Sequence, residues 1–194
     1  MRAIFLTLFL ALFSLQAAMA DGHAPAEKPY IYASQTLEMK ATVEAINHET
    51  REVTLRGENG ETVDLVVGED ARNLGQVHVG DTVIADYMHS LEIMVVAGDG
   101  SAPSAAGMSV AGRTEKGEMP GGAVMDTQTI TAPVEDINIE NNTFTLKFPD
   151  GEVAEFTARN PENLKRADVG DMVLITTTDM LAIAVEETSA SMEK

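Results

Sequence analysis

The sequence predicts an all-β protein built as two tandem five-stranded barrels, and three observations carry that prediction. The first is an internal repeat. Residues 41–61 read ATVEAINHETREVTLRGENGE and residues 132–152 read APVEDINIENNTFTLKFPDGE, with ten of 21 positions identical at an offset of 91. The match resumes at an offset of 90, where Val79-Gly80-Asp81 aligns with Val169-Gly170-Asp171, and Leu91, Ile93 and Val95 align with Leu181, Ile183 and Val185. The second observation is an apolar period of two. Met39, Ala41, Val43 and Ala45 alternate with mostly polar neighbours, and Ile130, Ala132 and Val134 keep the same phase, as a strand with one buried face does. The third is a pair of hairpin dipeptides, Asn59-Gly60 and Asp150-Gly151, in which both residues tolerate the positive φ of a type I′ turn.

The elements follow in order within each copy. A long first strand ends in a polar turn, 47–51 or 138–142. Val53 and Leu55, matched by Phe144 and Leu146, mark a second strand. Beyond the hairpin dipeptide, Val63, Leu65 and Val67 make a third, matched by Ala154, Phe156 and Ala158. A helical turn comes next; in the second copy Asn160 suits the N-cap and Pro161 the first helical position. Val-Gly-Asp then leads into strand four, 82–87 or 172–177, and a tight hairpin is expected before strand five, 91–95 or 181–185. Five strands with a helical turn after the third is the order of an OB-type barrel, with an SH3-like barrel as the alternative. Pro133 inside a first strand implies an edge or a bulge. Leu55, Leu65, Val83 and Ile93, with Leu146, Phe156, Val173 and Ile183, are expected to point inward.

The domain organisation reads as a signal peptide (1–20), an N-terminal tail (21–34), repeat 1 (35–97), a flexible linker (98–125), repeat 2 (126–188) and a C-terminal tail (189–194). Met1-Arg2, an apolar run to Leu15 and Ala18-Met19-Ala20 have the order of a secretory signal. The run is shorter than the roughly 20 residues that span a bilayer, so no membrane span is expected and the location is periplasmic or secreted. The linker is rich in Gly, Ala and Ser, and a Gly-rich chain of that length spans roughly 30 Å.

Cysteine is absent, which excludes disulfides and thiol chemistry. The net charge is −18, and removal of Arg2 with the signal moves it to −19. Such a surface repels nucleic acid and suits a solvated exported protein.

Copies sharing V-E-[AD]-I-N, T-L, G-E, N-L and V-G-D-x-V resemble small periplasmic OB-like β-barrel repeats of bacteria, largely of unknown function. The outline is also similar to periplasmic copper-carrier domains of OB type. Those carriers hold metal with a His, two Met and a nearby Trp. The chain has no Trp and no matching His-Met-Met pattern, so that site does not transfer.

No nucleophile, zinc or phosphate-loop motif is present, and an enzyme is not expected. Asp81 and Asp171 recur at one place in both copies; a turn carboxylate accepting from a backbone amide explains the Gly and the Asp together. Met88-His89 occurs in one copy only and reads as a surface hairpin. Met108, Met119 and Met125 offer soft donors or are tolerated linker residues, the latter being favoured. The Asp and Glu spacing matches no calcium loop.

One metal site is expected at the processed N-terminus. Cleavage after Ala20 would leave Asp21-Gly22-His23, whose amine, two amide nitrogens and imidazole give four in-plane nitrogen ligands for Cu(II) or Ni(II), similar to the amino-terminal copper site of serum albumins. The function expected is therefore an exported, non-catalytic tandem β-barrel that binds or scaffolds an unknown protein or small ligand. The alternative is a periplasmic copper-handling protein, with copper as the one possible cofactor.

Overall fold

The computed structural model describes residues 27–188. The expected signal peptide, the trio Asp21, Gly22 and His23 expected to bind metal, and residues 189–194 lie outside them. The first copy comprises β1 (Tyr30–Asn47), β2 (Glu52–Gly57), β3 (Thr62–Val66), a 3-10 turn (Leu74–Gln76) and β4 (Thr82–Val96). After β5 (Ser104–Arg113), the second comprises β6 (Gly121–Asn138), β7 (Thr143–Lys147), β8 (Val153–Thr157), α1 (Pro161–Leu164) and β9 (Met172–Glu186). The protein is all-β.

The repeat is faithful at its turns. Arg51 and Asn142 both take a left-handed conformation (φ 61° and 56°), as do Gly80 and Gly170 (φ 99° and 94°). The hairpins between β2 and β3 and between β7 and β8 differ from the expected type I′ form. Gly60 N–H donates to Gly57 O (2.9 Å) and Gly151 N–H to Phe148 O (3.0 Å), and of each dipeptide only the glycine has positive φ. This is a type I turn followed by a left-handed glycine bulge, a loop one residue longer than type I′ allows. Asn160 caps α1 by accepting from Glu162 N–H (3.1 Å), with Pro161 at the first position.

The larger departure is in tertiary arrangement. The strands form one nine-stranded sheet in the order β3-β2-β1-β4-β9-β6-β7-β8, with β5 beside β6, rather than two separate barrels. No hairpin divides β4 or β9. Each runs unbroken for 15 residues, and the two pair antiparallel from Thr82↔Glu186 to Val96↔Met172. The reason is local: neither stretch contains a Gly or Pro, and a two-residue turn needs residues that accept positive φ.

This continuity makes the copies share their cores. Val43, Val53, Leu74 and Val77 form one buried cluster, and Val185 of the second copy packs on it. Ala132, Val134, Leu146 and Val173 form the other, and Ile93 and Val95 of the first copy pack on that. The end of each copy's last strand thus completes the opposite core. Leu65, Phe156 and Ile183, expected inside, are 37, 39 and 44% exposed. Leu65 lies opposite Val53 and Phe156 opposite Phe144, on the inward side, but β3 and β8 end the sheet and are not closed over.

Residues 98–125, expected as a flexible linker, are largely folded. β5 pairs with the first half of β6 from Ser104↔Thr131 to Arg113↔Gly122. The loop after it is tied to the first copy by the Asn73 side chain, which donates through Nδ2 to Glu115 O (2.5 Å) and accepts at Oδ1 from Gly117 N–H (3.2 Å). Small side chains remove the apolar period but leave ladder hydrogen bonding intact.

Candidate functional site

The centre of the sheet is where the copies meet. His89 pairs with Asp179, and these two are also equivalent positions of the repeat, so the approximate twofold between the copies passes through them. Pairing extends the row to Gln35 on β1 and Asp126 on β6. On this face Asp179 Oδ1 accepts from the Tyr87 hydroxyl at 2.6 Å and lies 2.9 Å from His89 Nδ1. The Tyr87 hydrogen bond, reinforced by His89, holds the Asp179 carboxyl below the usual carboxylate range. The same bond raises the Tyr87 phenol above its ordinary value. The His89 and Asp179 side chains are 44 and 48% exposed, so water reaches the group.

Asp81 and Asp171, both buried at 5% exposure, do what the turn motif demands. Asp81 Oδ2 accepts from His78 N–H and Asp171 Oδ2 from Asp168 N–H, each at 2.8 Å. Lys28 adds an ion pair to Asp171 at 2.7 Å. These carboxylates staple the entry to β4 and β9.

Two further features distinguish the copies. In the second, Phe148, Phe156, Ile130 and Ala105 line a shallow apolar hollow of about 540 Å³. In the first, the Tyr30–Lys40 half of β1 is exposed throughout and pairs only with β4, since β2 joins β1 from Ala41 onward. The equivalent half of β6 is covered by β5. One copy therefore has an open sheet edge, among the described residues, where its twin has a strand.

Of the sequence candidates, Met88 and His89 sit mid-strand rather than on a hairpin. Met108 and Met125 lie on β5 and β6 rather than in a linker. Among the described residues no three His, Asp or Glu side chains cluster to hold a metal ion. Asp179 was not legible as a partner of Tyr87 and His89, because only the long-range register of β4 with β9 joins them. No family model, curated protein or solved structure matches the chain.

Proposed function

We propose that the chain is an exported, non-catalytic β-sheet module that binds an extended segment of a partner protein along the open edge of β1. One observation carries this reading: β5 occupies the equivalent edge of β6, so the scaffold accepts an antiparallel strand at that place. Strand addition draws affinity from main-chain hydrogen bonds and specificity from alternate side chains. Ile31, Leu37 and Met39, with Tyr30 and Tyr32, are 42–57% exposed along this edge and offer apolar contacts on both faces. The Tyr87–Asp179–His89 cluster sits on a sheet face with the His89 and Asp179 side chains 44 and 48% exposed, whereas acid–base catalysis favours a concave, partly desolvated site, which supports the non-catalytic part.

The test combines exchange with crosslinking. In purified protein, the outward amides of 30–40 should exchange with solvent much faster than those of 121–131. A photocrosslinking residue at Thr36 should capture a partner protein in vivo, and Ser34→Pro, which removes an N–H that faces the open edge rather than β4, should remove the crosslink while the melting point holds. Equal protection of the two edges, or capture unaffected by the proline, would sink the proposal. Copper handling remains a second reading because of a separate row of side chains.

A further inference from the structure

The face of the sheet opposite His89 carries a row of thioethers. Met88 on β4 pairs with Met180 on β9, which pairs in turn with Met125 on β6. Residues opposed across an antiparallel ladder share a face, with Cβ atoms about 5 Å apart. Three methionines therefore stand side by side on three neighbouring strands, all half-buried. The flanking rows are short or polar: Asp86, Ala182 and Ala123 on one side, Ser90, Thr178 and Thr127 on the other. A long unbranched side chain between such neighbours has room to swing its sulfur toward the middle strand.

The repeat supplies an internal control. The equivalents of Met88, Met180 and Met125 are Thr178, Ser90 and Ser34, which make up the adjacent row. The same strands in the same pairing carry hydroxyls there. The backbone does not require methionine at these positions, and β-branched residues would cover a sheet face with better strand propensity.

The geometry points to a binding site for a soft monovalent cation, Cu(I) or Ag(I), with the sulfurs of Met88, Met125 and Met180 as ligands. Thioether sulfur is a soft donor that selects Cu(I) over hard cations. Three thioethers bring no charge of their own; Asp86, two residues from Met88 on the same face, and the overall charge of −18 supply an attractive field. A thioether has no proton to release, so the ligands themselves do not compete with protons for the metal. The metal enters and leaves in one oxidation state. This site is independent of the β1 edge, and distinct from Asp21-Gly22-His23, whose nitrogen set suits Cu(II) or Ni(II).

The experiment titrates the His23→Ala protein with Ag(I), and with Cu(I) under anaerobic competition by a chelator. One equivalent should bind, and the methyl NMR signals of Met88, Met125 and Met180 should shift together while those of Met39 and Met94 stay. Met180→Leu, close in volume, should weaken binding by at least the roughly tenfold that loss of even an outer-shell partner costs. Met94→Leu should bind as the parent does. If Met180→Leu does not fold, Met88→Leu and Met125→Leu give the same reading, and the methyl shifts need no variant. Shifts at other methionines, absence of saturable binding, or full affinity in the three Leu variants would overturn the site. None of these results bears on the open edge, which is tested separately.

Discussion

Asp179 concentrates the polar chemistry of the sheet in one carboxylate. Its pKa is depressed in the folded state, so it contributes stability above the unfolded value of about 3.9 and loses it as pH falls through the folded value. Tyr87 runs the other way: its raised pKa stabilises the fold below about pH 10 and stops doing so as pH rises through the folded value. Tyr87→Phe should therefore move Asp179 back up toward the ordinary range, as read by carboxyl NMR titration. An unmoved Asp179 would mean that the bond does not form in solution. Residues differ in how far the sequence betrays them. The role of Asp81 and Asp171 was legible because a Gly-Asp turn is local. That of Asp179 was not, because its partners lie about ninety positions away.

At the level of elements, the strands and their phase were readable, including the first strands, the capped turn at Asn160 and the buried Leu146 and Val173. The way strands close on one another was not. A hairpin was expected between strands four and five because five short strands suggest a closed barrel, although no turn dipeptide supports it. The outcome, two unbroken strands crossing the molecule, gives a clear test. Val95 belongs to the first copy yet packs on the second core. Val95→Ala removes two methylene equivalents and should cost about 1 kcal/mol, allowing for partial burial. It should perturb NMR signals of Phe144 and Phe148 while leaving Val43 and Val53 in place. Perturbation of the first core instead would show that each copy closes on itself.

Across the whole molecule, the β4–β9 register has a sorting effect. It sets Asp86 opposite Ala182, Glu92 opposite Thr176 and His89 opposite Asp179. A β4 paired with another β4 about His89 would set Asp86 against Glu92, and a β9 paired with another β9 would oppose two Asp179 carboxylates; like charges directly opposite are unfavourable. The two copies thus prefer each other to themselves. Nothing in that preference, however, tells one chain from another. Only the connection through residues 97–120 keeps the partner within one molecule, by holding it at an effective concentration that falls to almost nothing when a connection is too short to span. Deleting 99–102 should drive the protein into closed dimers or longer head-to-tail assemblies, visible in sedimentation as a mass increase over the parent; an unchanged mass would refute this. The sheet's central seam is, in that sense, a polymerisation joint whose valency the connecting loop has capped at one.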